Sequence, residues 1–425
     1  MEIPTYNSKK IEVSLDVDLA NNNLIALPAL IDPHVHFRTP GAEHKEDWIT
    51  GSSAAFAGGV TTVIDMPNNN PPAIDYVSLI SKKKIIDDQI TQSGRPLKYY
   101  LYLGATPTNW TEFEKCHDEV IGIKLFMGAS TGNLLVDKLT DQEKIFAEAA
   151  RLNMLVAVHA EDEEIIKAKS QQFIANSVND HSKIRSRSAA VKAVSQAIAL
   201  AEKYGTRLYV CHVSTADEIE IIKSAKARGV KVFAEVTPHH LFLNQNAYES
   251  LGALAQMNPP LRTPEDQNAL WQAINEGIID TIGTDHAPHT LEEKAKPYPT
   301  SPSGVPNIEN YLALLLNAAG QSLARRSYAG NTKNNNKITL DNQPNNNYNI
   351  GAKAAKISLE KIVELTHDNP QKIFNLPKND DWVVVDLDKE KTIKNEDQKT
   401  KCGWSPYAGM KLKGWPIKIN QRLKI

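Results

Sequence analysis

The segment Asp32-Pro33-His34-Val35-His36 places two histidines at the end of an apolar run. Side chains at positions i and i+2 of a strand point to the same face, so His34 and His36 can reach one metal ion. A lone buried histidine more often satisfies a hydrogen bond in a protein core than binds a metal. A His-x-His pair that closes an apolar strand favours the metal site instead.

Other metal-binding residue types follow other apolar runs. His159 ends VAVH, His212 follows LYVC, and Asp285 follows IGT. Four histidines and one aspartate exceed the ligands of one tetrahedral zinc ion but suit two ions that share a bridge. Each of these residues could be structural by itself, but that alternative does not explain why all five follow apolar runs. The pattern predicts a binuclear metal site.

Lys124, in GIKLFM, is the candidate for the bridge between two cations. At the end of an apolar strand, desolvation disfavours the charged ammonium form. A neutral amine can add carbon dioxide to give a carbamate, which is a bidentate anion able to bridge two metals. The alternative is an ion-paired or snorkelling lysine. Beside the other ligand candidates, we favour the carbamate.

The elements that must position these residues alternate along the chain. Amphipathic stretches such as 141–152, 187–204 and 216–228 separate eight short apolar runs, which is typical of a (β/α)8 barrel. Continuous apolarity suits strands covered on both faces. A doubly wound sheet is the alternative, but polar residues at the carboxyl ends of the strands favour the barrel. The runs cover residues 27–37, 60–66, 97–103, 121–127, 154–159, 208–213, 230–236 and 278–284.

The two ends of the chain differ from the middle. Residues 26–377 are predicted to form the barrel domain, and residues 1–25 and 378–425 a small flanking β domain. Strand-like pieces at the ends cover 10–17, 382–387, 410–413 and 416–419. The asparagine-rich residues 331–349 are poor in apolar side chains, so we expect a mobile surface insertion. A specific binding loop is the alternative there. Residues 358–367 are predicted to form a helix that returns to the barrel.

Bulk properties exclude several classes of protein. A net charge of -2 over 425 residues argues against a nucleic-acid partner. Three widely spaced cysteines form no disulfide framework and no Cys-x-x-Cys motif, which fits a reducing cytoplasm. The first residues contain no signal-like stretch, and no window approaches the roughly 18 apolar residues of a membrane span. We therefore expect a cytoplasmic protein with no membrane partner.

Eight motifs together resemble the dihydroorotases of the cyclic amidohydrolase superfamily. They cover about residues 24–375 and read DPHVHFRTPG, HKEDWITGSSAAFAGGVTTVIDMPN, GIKLFMGASTG, VHAED, CHVST, EVTPHHLFL, MNPPLR and GTDHAPHT. The resemblance implies a (β/α)8 barrel with two zinc ions per chain, bridged by a hydroxide and N6-carboxylated Lys124. One ion would be bound by His34, His36 and Asp285, and the other by His159 and His212.

Two positions bear on how well the family pattern applies. One branch of the dihydroorotases uses an aspartate several residues beyond the lysine, but residues 128–133 contain no carboxylate. This absence supports Lys124 as the bridge. Ala29 stands where the family usually has glycine.

The resemblance also implies the reaction and the substrate contacts. The reaction would be the reversible cyclisation of N-carbamoyl-L-aspartate to (S)-dihydroorotate in pyrimidine biosynthesis, with Asp285 as the proton carrier or, alternatively, a ligand only. Arg38 lies on the strand face of His36, and a guanidinium suits a carboxylate. The implied substrate-binding residues are His36, Arg38, Asn68, Asn258, His289, Ser303 and Gly304, any of which could instead serve as a local cap or turn residue. We expect His239 and His240 to have structural roles or to support the residues that contact the metals.

Two alternatives to dihydroorotase stay open. Another cyclic amidohydrolase, such as a hydantoinase, dihydropyrimidinase or allantoinase, shares the metal ligands but needs no carboxylate contact. A non-catalytic dihydroorotase-like partner protein is the other, although such relatives typically lose metal ligands and all six positions are occupied here. We expect a homodimer acting on a small molecule, and association with aspartate transcarbamoylase stays open.

Overall fold

The computed structural model describes residues 2–12, 23–130, 134–173, 177–319 and 356–421. The predicted insertion at 331–349 lies outside the described residues. So do residues 13–17 of the predicted strand 10–17 and residues 131–133, which follow the Lys124 strand. No helix in the described ranges has the length and apolarity needed to cross a membrane.

Eight parallel strands form one sheet in sequence order, which confirms the predicted barrel. An isolated parallel bridge joins Val35 to His286, and His36 N donates to His286 O at 2.8 Å, so the last strand meets the first. The register sets Phe126 opposite His159. The strands are β1 (Leu30–Val35), β2 (Val60–Asp65), β3 (Lys98–Gly104), β4 (Gly122–Phe126), β5 (Leu155–His159), β6 (Arg207–Val210), β7 (Val232–Val236) and β8 (Thr281–Ile282).

Helices pack around the barrel. Several begin at capping boxes, in which the cap side chain and the third helical residue satisfy each other's backbone N–H groups. Thr215 with Glu218 and Thr263 with Asp266 are two such pairs. The longer helices are Trp48–Ala57, Tyr76–Ser93, Leu139–Arg151, Glu163–Gln172, Arg187–Tyr204, Ala216–Ala227, Pro264–Asn275 and Tyr311–Ala319. Shorter ones include Pro238–Phe242, Ala247–Leu251 and Leu291–Lys294.

The predicted helix 358–367 is divided in the structure. An α-helical segment covers Leu359–Val363, a π-helical turn covers Glu364–Asp368, and a further helix covers Asn369–Ile373. Thr366 Oγ1 donates to Ile362 O at 2.8 Å within this stretch. The helix-like sequence of residues 358–367 predicted a helix but gave no indication of the local change in helical pitch.

The ends of the described chain form two antiparallel sheets beside the barrel. One contains Leu24–Pro28, Trp382–Thr392 and Lys411–Asn420, with the second strand in the middle. The other pairs Glu2–Pro4 with Lys10–Glu12. The two predicted pieces at 410–413 and 416–419 are therefore one strand. The flanking β structure is confirmed, whereas the domain boundaries stay a prediction.

The prediction of one strand over 27–37 was wrong. The run divides at Ala29, where residues up to Pro28 join the flanking sheet and residues from Leu30 join the barrel. Ala29 N donates to Asp381 O at 2.9 Å, away from both strand ladders. Both halves of the run are buried and apolar, so hydrophobicity gave no sign of the break. Ala29 is fully buried, without a positive φ.

Candidate metal centre and active site

Three predicted ligands meet at the junction of β1 and β8. Asp285 Oδ1 lies 3.2 Å from His34 Nε2 and 3.0 Å from His36 Nε2. All three side chains are buried. Ligands on a tetrahedral ion with bonds of about 2.0–2.1 Å stand roughly 3.3 Å apart, so this spacing suits a shared cation. The nitrogen and oxygen donors also match the ligand types that zinc accepts.

A second pair lies next to this group. His159, at the end of β5, has its Nδ1 3.0 Å from Nε2 of His212, which follows β6. The ring centroids of His34 and His212 are 5.6 Å apart, so the pair adjoins the first group. Burial is the main cause that lowers the pKa of both His159 and His212. Glu161 opposes this shift at His159, whereas the positive charge of Lys124 adds to it at both rings. Both rings are thereby kept neutral, which is the form that binds a metal.

Lys124 lies on β4 with its side chain 1% exposed. Its Nζ is 3.1 Å from Cys211 Sγ and 5.0 Å from the centroid of the Phe126 ring. Across the described part of the chain, no carboxylate lies within salt-bridge distance of Nζ. A buried ammonium without a counter-ion is costly. This environment is compatible with the predicted carboxylation of Lys124.

Three predicted site residues have backbone conformations that side chains rarely adopt. Arg38 has φ 63°, His212 has φ 39° and Asp285 has φ 45°. Such left-handed conformations cost free energy and cluster at functional sites. Contacts between β1 and β8 hold the turn before Asp285, because Asp32 Oδ1 accepts from Thr284 N at 2.9 Å and Asp32 Oδ2 accepts from Thr284 Oγ1 at 2.5 Å.

The charge on Asp285 is fixed by its neighbours. Burial alone would raise the pKa of this carboxyl group, but the charge of His34 and the hydrogen bond from His36 hold its pKa well below the usual range. Asp285 is therefore ionised at neutral pH. An ionised carboxylate at this place can bind a cation or accept a proton.

Two buried glutamates that orient the histidines were not singled out from the sequence. Glu235 Oε1 lies 2.8 Å from His34 Nδ1 and accepts from His212 N at 3.0 Å. Glu161 Oε2 lies 3.0 Å from His159 Nε2 and accepts from Arg185 Nη2 at 2.6 Å. The available signals were a glutamate inside the apolar strand VFAEV and another two residues after His159.

Glu161 is ionised as well. Burial would raise the pKa of its carboxyl group, but Arg185 and His159 hold that pKa far below its ordinary value. A negative charge at Glu161 favours the Nε2–H tautomer of His159, which leaves Nδ1 facing His212.

Arg38 and His289 lie together beside the first ligand group. Arg38 Nε donates to Pro288 O at 3.0 Å, and its Nη2 is 3.1 Å from His289 Nε2. Lys45 Nζ donates to His289 Nδ1 at 3.1 Å. Burial, and then the charge of Arg38, lower the pKa of His289 to about 3. The neutral ring can thus donate a hydrogen bond from Nε2.

The other predicted substrate residues fall in three places. Asn68 Oδ1 is 2.8 Å from His36 Nδ1, which links it to the predicted metal ligands. Ser303 O is 3.1 Å from His289 Nε2, and a Cβ at Gly304 would lie 3.1 Å from the same ring. Asn258 is separate from Arg38 and contacts His181 instead, with Oδ1 2.9 Å from Nε2.

His239 and His240 are fully buried, and the structure shows contacts to the local chain. His240 Nδ1 is 2.8 Å from Thr237 Oγ1, and its Nε2 is 3.1 Å from Pro259 O. His239 Nδ1 is 2.8 Å from Asn307 Nδ2. Within the described residues, His239 Nε2 has no hydrogen-bond partner. Structural roles for these two histidines stay a prediction.

Comparison with known proteins identifies the family. The sequence profile of the Amidohydrolase family matches residues 25–380. The dihydroorotase of Methanosarcina mazei is 32% identical over 425 aligned residues, covering 93% of this chain and 82% of the relative. The chain belongs to the amidohydrolase family, among its dihydroorotases. The dihydroorotase of Bacillus licheniformis is also 32% identical to this amidohydrolase, with 98% of this chain and 89% of the relative covered.

Longer relatives and solved structures extend the comparison. The Multifunctional protein CAD of Squalus acanthias is 33% identical over 93% of this amidohydrolase, which spans only 14% of that relative's length. The L-hydantoinase (dihydropyrimidinase) of Arthrobacter aurescens superposes with a TM-score of 0.82 at 25% identity, over 97% of this chain and 88% of that one. A dihydropyrimidinase from Brevibacillus agri shares the fold, with 24% identity and a TM-score of 0.78. The superposition covers 97% of this chain and 88% of that one.

Family membership and geometry together indicate a metal centre in this amidohydrolase. His34, His36 and Asp285 form one compact group of possible ligands, and His34 also belongs to a second group with Cys211 and Glu235. Both groups lie where the carboxyl ends of the barrel strands converge, which is the end at which barrel enzymes carry their active sites.

Proposed function

We propose that this chain catalyses the reversible cyclisation of N-carbamoyl-L-aspartate to (S)-dihydroorotate. The observation that carries the proposal is the Arg38 guanidinium, which is 6% exposed. Burial lowers the pKa of Arg38 only to about 10, so it stays charged. In the described ranges no carboxylate forms a salt bridge with it. A buried cation without a counter-ion beside a catalytic carboxylate calls for an anionic substrate group.

The substrate carboxylate is assigned to Arg38, Asn68 and His289. Arg38 and His289 are adjacent, and Asn68 lies beside His36. His36 thereby links the carboxylate site to the metal ligands. Asn258, Ser303 and Gly304 are proposed to contact the ring. A hydantoin or dihydrouracil substrate lacks the carboxylate and would leave Arg38 without a partner.

We propose a pair of zinc ions as the cofactor. His34, His36 and Asp285 would hold one ion, His159 and His212 the other, and N6-carboxylated Lys124 both. The donor set supports this assignment, since it contains imidazoles, a carboxylate and a buried lysine without a counter-ion. When bound, such a metal pair activates water at neutral pH and polarises a carbonyl group.

Asp285 is proposed to carry the proton. Its low pKa keeps the carboxylate ionised before reaction, so in hydrolysis it can accept a proton from the attacking water. It then returns this proton to the departing ring nitrogen. In the cyclisation direction, Asp285 removes a proton from the carbamoyl nitrogen of N-carbamoyl-L-aspartate. This nitrogen bonds to the carbon of the side-chain carboxyl group, and the proton leaves with the displaced hydroxyl group as water. His34 and His36 hold the Asp285 carboxylate in place at 3.2 and 3.0 Å.

Assembly and location complete the proposal. Cys116, Cys211 and Cys402 are buried free thiols, which supports a cytoplasmic enzyme. We propose a homodimer, with light scattering as its test. Matches to segments of multifunctional proteins support an association with aspartate transcarbamoylase, which co-sedimentation of the two purified enzymes would test.

The deciding experiment compares substrates and measures metal together. We expect turnover of dihydroorotate to exceed that of hydantoin, dihydrouracil and allantoin, with about two zinc ions per chain by elemental analysis. Preferred turnover of an uncharged ring would assign the chain to another cyclic amidohydrolase activity. If the protein binds no metal and turns over none of these substrates, it is a non-catalytic partner protein.

A further inference from the structure

Lys294 is a buried lysine whose hydrogen bonds all go to backbone carbonyls near the proposed substrate site. It is the last residue of the short helix Leu291–Lys294 and is 2% exposed. Its Nζ donates to Gln256 O at 3.0 Å, Pro302 O at 2.9 Å and Gly304 O at 3.1 Å. An ammonium group has three N–H donors, and Lys294 uses all three on these carbonyls.

Gln256 contacts the same segment. Its Nε2 donates to Ser301 O at 2.8 Å and to Ser303 Oγ at 3.2 Å, while its Oε1 accepts from Ser301 Oγ at 2.6 Å. Its backbone carbonyl accepts from Gly304 N at 2.9 Å as well as from Lys294. Gln256 is 3% exposed, so these bonds form away from water.

The held segment packs directly on His289. Ser303 O is 3.1 Å from His289 Nε2, the ring nitrogen that also adjoins Arg38. Gly304 has φ 137°, and a Cβ there would lie only 2.5 Å from Ala287 O. The backbone therefore passes too close to the site for any residue except glycine. A shift of residues 303–304 would move the hydrogen-bond partner of His289.

Gln256 also leads into the other proposed ring-binding segment. Met257 O and Asn258 Oδ1 lie 3.0 and 2.9 Å from His181 Nε2, which fixes the chain directly after Gln256. The two segments proposed to contact the substrate ring are thus joined to each other through Gln256 and Lys294. The hydrogen bonds within the described residues show no other side chain that contacts both segments in this way.

The surroundings of Lys294 explain why its bonds matter. No carboxylate forms a salt bridge with Nζ in the part of the chain that the structure describes. The Trp404 ring centroid is 5.9 Å away, and Trp404 Nε1 donates to His289 O at 2.7 Å. A buried charge of this kind is costly unless hydrogen bonds compensate it. The three carbonyls provide that compensation, and all belong to the segments around the site.

We propose that Lys294 and Gln256 form a clamp that positions residues 303–304 against His289 and thereby governs recognition of the substrate ring. Lys294 and Gln256 are positioning residues, since neither contacts Asp285 or a metal ligand. The role in recognition rests on the dihydroorotase activity proposed above, whereas the clamp itself is a property of the free enzyme. The two parts are therefore tested by separate measurements.

The variants are Lys294→Met, Gln256→Met and the control Lys296→Met. Lys296 is exposed on the same loop, so its replacement removes a charge without removing these bonds. The first measurement is amide hydrogen exchange at Gly304 in the enzyme without substrate. We expect exchange to be faster by about tenfold or more in both clamp variants and unchanged in the control, because the amide loses a fixed acceptor. If Lys294→Met does not fold, Gln256→Met provides the test.

The second measurement is steady-state kinetics with dihydroorotate. We expect KM to rise about tenfold or more with kcat changed less than about threefold, because the clamp affects binding geometry and not proton transfer. Unchanged exchange at Gly304 would overturn the clamp. Faster exchange with unchanged KM would overturn its role in recognition. Absence of turnover in the unaltered enzyme would instead reject the proposed activity, and exchange would still decide whether the clamp exists.

Discussion

Glu235 accepts a hydrogen bond from His34, with Oε1 2.8 Å from Nδ1. The same oxygen accepts from the backbone N of His212 at 3.0 Å. A proton held on Nδ1 leaves the Nε2 lone pair of His34 available to a cation. One buried carboxylate on β7 therefore orients a proposed ligand on β1 and anchors the backbone of another proposed ligand after β6. It connects the two groups of proposed metal ligands.

We predict that Glu235→Gln weakens metal binding. The amide has nearly the same shape but lacks the negative charge that makes the imidazole a stronger ligand, so affinity should fall about 10–100-fold. Zinc retained after dialysis against a chelator measures this effect. Tyr209→Phe is the control, because it removes the hydroxyl 2.9 Å from Oε2 and keeps the charge. Equal zinc retention in all three proteins would contradict an orienting role for Glu235.

Lys124→Arg should abolish the proposed bridge. Arginine keeps the positive charge but does not form the carbamate, so we expect bound metal to fall and turnover to drop about a thousandfold or more. Carbon NMR of enzyme equilibrated with isotopically labelled bicarbonate should show a carbamate resonance in the unaltered protein and none in Lys124→Arg. Cys211→Ala removes the sulfur 3.1 Å from Nζ and serves as the matched control. Cys211→Ala should keep the carbamate resonance. If Lys124→Arg shows the same resonance as Cys211→Ala, the carbamate lies on another residue.

The barrel and the positions of the proposed ligands were predictable from sequence for one physical reason. Residues buried on both faces give continuous apolar runs, and in a barrel the ends of those runs meet in space. His159 and His212 end or follow such runs and lie 3.0 Å apart through their ring nitrogens in the structure. The period of two along a strand likewise predicted that His34 and His36 share a face.

Contacts that depend on tertiary packing were not predictable in this way. Glu235 and His34 are 201 positions apart, and no local pattern distinguishes Glu235 from an ordinary buried glutamate. Lys294 and Gln256 carry no local signal of their role until the fold brings both to residues 301–304. The break between the two strands at Ala29 was not predictable for a related reason. The hydrogen-bond partner of its amide is Asp381, far along the chain.

Arg38→Met should remove selectivity for the carboxylate. Loss of a charge-assisted contact in a buried site should lower kcat/KM for dihydroorotate about 100–1000-fold. Turnover of hydantoin, which has no carboxylate, should change less than about threefold. Arg38→Lys keeps the charge but not the planar pair of donors, so we expect an intermediate loss. Equal losses for both substrates would show that Arg38 supports the fold and does not bind the substrate.

Lys82 and Asp65, the last residue of β2, form a buried ion pair, with Nζ 2.5 Å from Oδ2. Lys82 also donates to Met66 O at 2.9 Å, and Asp65 Oδ1 accepts from Phe37 N at 2.8 Å. Lys82→Met leaves the Asp65 charge buried without its partner, so we expect a loss of about 3–5 kcal/mol in unfolding free energy. Chemical denaturation measures the loss. The double variant Asp65→Asn, Lys82→Met should recover part of the lost unfolding free energy. If the losses of the two single variants simply add in the double variant, Lys82 and Asp65 are not coupled.

Glu309 should make stability depend on pH. Burial raises the pKa of its carboxyl group to about 7 from the ordinary 4.5, against the backbone N–H donors of Lys399 and Thr400. Between these two values the folded protein binds a proton that the unfolded chain has released. The stabilising contribution of protonated Glu309 is therefore complete below about pH 4.5 and is lost as pH rises through about 7.

Glu309→Gln stays neutral and should not lose stability through this titration. We expect the unfolding free energy of the variant, relative to the unaltered protein, to rise by up to about 3 kcal/mol between those two pH values and to level off above them. Urea denaturation of both proteins at several pH values gives this difference. Glu360→Gln changes a carboxylate on another helix and serves as a control. If the stability difference between Glu309→Gln and the unaltered protein does not change with pH, Glu309 is already ionised in the folded protein at acid pH. The backbone N–H donors would then lower its pKa more than burial raises it.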